Sequence, residues 1–393
     1  MERTAAQTPR RVALMLDLRW PYKRHSEIFA GIQRYAEERG WVSILDEYAN
    51  DTLRSRPHDR VPYDGIIARA NASLVQRATA AGVPVVNVWP SSPVWRRVPG
   101  VFPDSLETGR LVAEHLLARG FRNFATLTSV KNRDNEDEVK AFTRLVQQAG
   151  GRCLSTFVPQ DPYRDRASWR KTARLIDQAM AEWQPPLAVY VAQEVCGRLV
   201  VQASHARGWR IPNDVALVAG KNQETLCEHP RPSLTSIEIG YERIGYAAAQ
   251  LLAELMEGQQ PPSEPLRLPP HGLVVRESTD FFAVDNPVVA AALAFIAAHS
   301  HRSIGPTEVA RAVGTETRTL QNYFRQAIQR PIATEIRRVR LERAKRELVQ
   351  SKRSLDTIAR EVGFGSIQRL YEVFRREVGL SPGAYRAQRQ LQG

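Results

Sequence analysis

Cysteine is scarce in this chain: Cys153, Cys196 and Cys227 are the only three in 393 residues. They stand far apart, so no disulfide framework and no closely spaced metal or redox motif is present, and free thiols in a reducing compartment are expected. No apolar run approaches the roughly 20 residues of a membrane-spanning helix, and the polar opening from Met1 to Arg10 lacks a signal-peptide core. Neither a Gly-x-Gly-x-x-Gly nor a Walker pattern occurs, which leaves nucleotide binding without a motif. His299 and His301 lie two apart, a spacing that cannot put both on one helical face, and no acidic partner accompanies them. Metal ligation is therefore not expected. The chain is read as having no cofactor, no catalytic residues and no membrane partner, with a cytoplasmic location.

What is present has the balance of an ordinary soluble protein, 43% apolar and 25% charged, and the length suits two or three domains. The net charge of +13 is unevenly placed. From Pro287 onward there are 19 Lys and Arg against 9 Asp and Glu, whereas the preceding residues carry 36 against 33. A basic excess confined to about a quarter of the chain is the electrostatic footprint of a phosphate-backbone binder.

That basic quarter contains one plan twice. Pro306 suits the first position of a helix, Gly314 a tight turn, and Thr315 the N-cap of a second helix on which Leu320, Phe324 and Ile328 recur at core spacing. About 50 residues on, Ser354 caps a helix, Gly363-Phe-Gly365 turns, and the following helix presents Leu370, Phe374 and Val378 to a core. Helix-turn-helix units are expected over 306–328 and 354–378, joined by a helix over 331–350 that spans roughly 30 Å at 1.5 Å per residue. This is close to the roughly 34 Å between successive major-groove faces of DNA. Arg318, Gln321, Asn322, Gln368, Arg369 and Glu372 are left outward, and Arg, Gln and Asn are side chains that read base edges. Arg325, Arg337, Arg338, Arg375 and Arg376 are candidate contacts to the DNA backbone.

The run Gly363-Phe-Gly-Ser-Ile-Gln-Arg-Leu-Tyr-Glu-Val-Phe-Arg-Arg, with Gly379-Leu-Ser-Pro-Gly-Ala-Tyr-Arg386, resembles the DNA-binding domain signature of the AraC/XylS family. It departs at Leu370, where the family often has an aromatic. The resemblance implies that the six outward residues face bases.

Upstream, apolar runs alternate with amphipathic helices, the pattern of parallel α/β sheets. Strands are expected at Arg11 to Leu18, Gly65 to Ala68, Val83 to Val88, Phe124 to Leu127, Leu154 to Val158, Ala188 to Ala192 and Val215 to Val218. The helix at Leu106 to Arg119 is assigned to the first half. Two doubly wound halves imply two lobes with a ligand cleft at the carboxyl ends of their strands. Tyr63-Asp-Gly-Ile-Ile, Glu107-Thr-Gly-Arg-Leu-Val-Ala-Glu-His-Leu-Leu-Ala-Arg-Gly120, Ile211-Pro-Asn-Asp-Val-Ala-Leu-Val218 and Ser233-Leu-Thr-Ser-Ile237 resemble the effector domain of the LacI/GalR family. That family places its DNA-binding helices ahead of the first strand. Here the strand begins near residue 11 and the helices follow the sensor, an order that resembles the activators of xylose operons.

The expected architecture is a polar arm over 1–10, a bilobed α/β periplasmic-binding-protein-like sensor over 11–284, and an all-α domain with two helix-turn-helix units over 285–393. The resemblance assigns Glu138, Glu194, Lys221 and Asn222 to the cleft. Lys221-Asn222 stands where an Asp pair is common, and an ammonium only donates. The loop with Arg19, Trp20, Tyr22, Lys23 and Arg24 offers ring platforms and donors. Asn286-Pro287 opens an alanine-rich helix to His299 that either transmits lobe closure or is simply the first core helix of the DNA-binding domain. The function expected is a sequence-specific transcription regulator, an activator by resemblance. Its partners are double-stranded DNA, a sugar-like effector such as xylose, RNA polymerase and a second copy of the chain. The competing reading is a carbohydrate-binding or carbohydrate-processing α/β protein with a helical interaction module.

Overall fold

The structure, a computed structural model, describes residues 9–19, 23–53, 61–129, 133–159, 161–162, 164–280, 282–284, 286–328 and 330–390. Strands β1 (Arg11–Met15), β2 (Val42–Leu45), β3 (Gly65–Ala68) and β4 (Val85–Asn87) form a parallel sheet in the order β2-β1-β3-β4. β5 (Val101–Pro103) leaves this lobe, and β6 (Asn123–Ser129), β7 (Arg152–Val158), β8 (Leu187–Val191) and β9 (Val215–Ala219) form a second parallel sheet, β7-β6-β8-β9. The central strands are apolar along their whole length because helices cover both faces.

β10 (Ser236–Glu238), β11 (Leu266–Leu268) and β12 (Gly272–Val274) complete the two lobes. β11 pairs with β5, which bridges to β4 through Asn87 and Gly100, while β10 pairs with β12 and bridges to β9 through Val218 and Thr235. The chain thus passes between lobes three times: after β5, after β10 and between β11 and β12.

Three glycines set how closely helices approach. Added Cβ atoms at Gly31 and Gly245 would run into the backbone of the partner helix, so helices Lys23–Arg39 and Tyr241–Met256 pack backbone to backbone. Gly109 does the same for helix Ser105–Leu117 against helix Arg133–Gln148. That contact corrects the sequence assignment: the helix after β5 belongs with the second lobe, because it packs on that lobe's first helix.

The C-terminal part has two cores. Val289, Leu293 and Ile296 of helix Pro287–His299 are buried with Leu320 and Phe324 of helix Thr317–Ile328 and with Ile332 and Ile336. The second core gathers Leu341, Leu348, Ile358, Leu370 and Phe374, and helix Pro382–Gln390 packs on it through Tyr385. Ile328 and Val378 are only half-buried, and Val373 takes a core place instead. Helix Thr317–Ile328 starts two residues after the expected Thr315 cap, whose own N–H is bonded to Ala310 O. Asn286 Oδ1 caps the junction helix at Val288 and Val289, and Ser354 Oγ accepts from Thr357 N–H. The junction helix is a core member of the first helix-turn-helix unit; Asp285, ahead of it, lies outside the described residues.

Candidate functional site

A cleft of about 800 Å³ opens between the lobes, within the range typical of small-molecule sites. Its walls come from the carboxyl ends of strands: Arg69 follows β3, Phe157 to Pro159 end β7, Ala192 to Glu194 follow β8, and Lys221 follows β9. This is where open α/β sheets expose backbone and loops rather than packed side chains.

At the floor, Glu138 is 1% exposed. Its Oε2 accepts from the Tyr190 hydroxyl at 2.7 Å and from Lys221 Nζ. The pairing has a physical necessity, since a buried carboxylate without a partner costs several kcal/mol. Burial and the Glu138 charge together hold the Tyr190 hydroxyl well above its ordinary pKa. Glu194 Oε1 accepts the backbone N–H groups of Lys221 at 2.6 Å and Gln223 at 3.1 Å. Asp134, one helical turn before Glu138, is pushed up to about 6, first by burial and then by the Glu138 charge, and Ser91 Oγ donates to it at 3.4 Å.

From the first lobe, Lys23, Arg24, His25, Arg69 and Tyr241 reach the same space. Burial opposes the Lys23 ammonium, but the hydrogen bonds and charges of Glu238, 2.8 Å away, and Glu27 together outweigh it and the pKa is raised. Burial, then the charges of Arg24 and Arg69, lower His25 to about 4, so it is neutral while its Nδ1 meets Leu16 O at 2.6 Å. Arg69 bonds Asp17 at 3.0 Å and lies 4.9 Å over the Trp89 ring.

The sequence candidates therefore divide. Lys23, Arg24, Glu138, Glu194 and Lys221 line one cleft. Asn222 does not: it is 4% exposed and its amide bonds Glu238 and accepts from Ser236 and Arg276, so it holds the loop behind Lys221. Arg19 points to solvent with Asp17 3.8 Å away. Trp20 and Tyr22 lie outside the described residues. Arg69, Asp134, Phe157, Lys171 and Gln193 line the cleft without having been singled out. Asp134 stands four residues before Glu138, on the same helical face, and Arg69 directly follows a strand; those two signals were available.

On the helical domain, Arg318, Gln321, Asn322, Gln368, Arg369 and Glu372 are all exposed, as are Arg325, Arg375 and Arg376. Arg376 pairs with Glu377 at 2.8 Å and Arg337 is half-buried. Arg338 corrects the sequence reading. It donates to Glu335, which is 1% exposed and also lies 2.8 Å from Arg330 Nε. Its guanidinium is engaged by a buried carboxylate three residues back rather than lying free on the surface. Arg330 also donates to Ala118 O at 3.4 Å, and Ala283 N–H to Arg119 O at 2.7 Å, so this seam joins sensor and DNA-binding domain.

Residues 113–279 match the periplasmic binding protein-like domain family and residues 309–388 the helix-turn-helix domain family. The xylose operon regulatory protein of Escherichia coli (strain K12) is 25% identical over 388 residues, covering 96% of each chain. The solved structure of the xylose-binding transcription activator xylR has a TM-score of 0.57 at 21% identity, covering 97% of this chain and 98% of that one. A CelR–cellobiose complex has a TM-score of 0.56 at 23% identity, over 68% of this chain and 84% of that one.

Proposed function

We infer that this chain, XylR-like in carrying a periplasmic-binding-protein-like sensor ahead of a helix-turn-helix domain, is a DNA-binding transcription regulator controlled by a sugar-like effector held between its lobes. The observation that carries the reading is the junction helix. Pro287–His299 is buried in the core of the first helix-turn-helix unit, and the segment before it is tied to the sensor by the Ala283–Arg119 bond. Lobe movement that shifts helix Ser105–Leu117 therefore moves the first unit with it.

The effector stabilises whichever lobe arrangement it binds more tightly, and that population is the one whose recognition helices fit the operator. Arg318, Gln321 and Asn322 read one major-groove segment, Gln368, Arg369 and Glu372 the next, and Arg325, Arg337, Arg375 and Arg376 meet phosphates. Lys23, Arg24, Glu138, Glu194 and Lys221 hold the effector. The chain acts in the cytoplasm as a homodimer and activates through RNA polymerase; the activation is supported by the one structural neighbour whose name is that of a transcription activator, and no enzymatic step is assigned to it.

The test is a mobility-shift titration of the full chain on the promoters flanking its own gene, with and without pentoses, hexoses and uronates. Sequence preference that a sugar alters by several-fold supports the reading. Equal binding to promoter and random DNA, unaffected by every sugar, overturns it.

A further inference from the structure

The sensor's cleft is lined by six Lys and Arg side chains against four Asp and Glu. On the floor, one oxygen of each of two carboxylates is engaged, Glu138 Oε2 by Lys221 and Tyr190 and Glu194 Oε1 by two backbone N–H groups, and Asp134 accepts from Ser91 Oγ. Lys221 spends one N–H on Glu138 and an ammonium has three, none of which can accept. The outer wall adds Lys171, on helix Arg166–Ala181, which lines the cleft, is exposed, and forms no ion pair with a described residue. On the same wall Phe157, at the carboxyl end of β7, lines the cleft and is 55% exposed instead of packing in a core. A large aromatic left half in water beside a ligand space is a platform for the apolar face of a ring.

We propose that the cleft selects an acidic sugar, a ring carrying a carboxylate, with the ring seated on Phe157 and the carboxylate held by Lys171. This rests on the reading of the cleft as a sugar sensor and names the class of sugar. The floor reads hydroxyls through Lys221 and Gln193, whereas the outer wall reads charge. A carboxylate offers the Lys171 ammonium a charged acceptor, and a charge-assisted bond is stronger than a neutral one.

Isothermal titration of the full-length protein with glucose against glucuronate, and galactose against galacturonate, tests it. The acid is expected to bind at least about tenfold more tightly than its neutral parent, as one charged hydrogen bond implies. Lys171→Ala should remove that preference, Lys171→Arg should retain it, and Phe157→Ala should weaken acid and neutral sugar alike. Neutral sugars binding as tightly as the acids, or an acid preference untouched by Lys171→Ala, would overturn the acidic-sugar assignment and leave the sugar-sensor reading standing. No heat with any sugar, joined to no change in DNA binding, would remove both.

Discussion

The two helix-turn-helix units share a plan but not a setting. The first is built into the rest of the molecule: the junction helix fills its core, and the buried Glu335 with Arg330 and Arg338 seals it toward Ala118 of the sensor. The second has a core of its own, closed by helix Pro382–Gln390, and meets the junction mainly at one turn. There, a Cβ added at Gly363 would run into the carbonyl oxygen of Ser300 at the end of the junction helix. Arg340 reinforces the same place by donating to Ser300 O and Arg302 O, both at 2.8 Å. In the first unit the equivalent turn residue, Gly314, faces open space. The difference teaches that the junction helix holds the first unit through a shared core and the second through one turn, so equivalent substitutions should have unequal effects.

The largest contrast is expected at Glu335. Glu335→Ala leaves two guanidinium groups without their buried carboxylate and should cost about 3 kcal/mol in denaturant unfolding, the scale for breaking a buried pair. It should also weaken the dependence of DNA binding on effector. A loss below about 1 kcal/mol would mean that the seam does not hold the first unit.

Gly363→Ala comes next. Its φ of +94° is strained for any side chain and the Ser300 oxygen blocks the space, so a destabilisation of about 2 kcal/mol or more is expected in thermal melts. Gly314→Ala has φ +70° and room, so only the conformational cost of about 1 kcal/mol applies. Equal costs at the two turns would erase the distinction between the units.

Arg318→Ala should leave the melting temperature unchanged and cost about 1 to 3 kcal/mol on the operator, relaxing preference at one base pair. Arg337→Ala should weaken operator and random DNA evenly, read from salt-dependent mobility shifts. An Arg318→Ala loss that is the same on both DNAs would remove Arg318 from base reading. The smallest effect is expected at Glu361→Gln, which breaks an exposed pair with Arg353 on the second unit: below about 1 kcal/mol in the same unfolding assay.

Much of the fold was legible. Runs such as Val215 to Val218 are apolar without alternation, which only a strand covered on both faces sustains, and Leu320 with Phe324 marks a helix face. β2 escaped because Val42 and Leu45 are exposed on an edge strand, where the apolar signal fades. The helix Tyr241–Met256 escaped as well, although Gly245 within it lets it pack on the backbone of helix Lys23–Arg39. Of the cleft, Glu138, Glu194 and Lys221 were within reach because the family resemblance assigned them to it. Phe157 and Lys171 were not, since a Phe at a strand end and a Lys on a helix look like core and surface until the lobes are set opposite each other.

By itself the sequence determined the alternation of the buried strands with helices, the basic C-terminal quarter and the exposed polar faces of the recognition helices, because those properties are set within a few turns of chain. Only the tertiary structure decided which charges are spent. Lys221 meets Glu138 across 83 positions, while Glu335, three residues before Arg338 in one helix, is buried only once that helix is packed, and burial makes the carboxylate need its partners. Ion pairing follows distance in space and local desolvation, and neither quantity exists until the chain has folded.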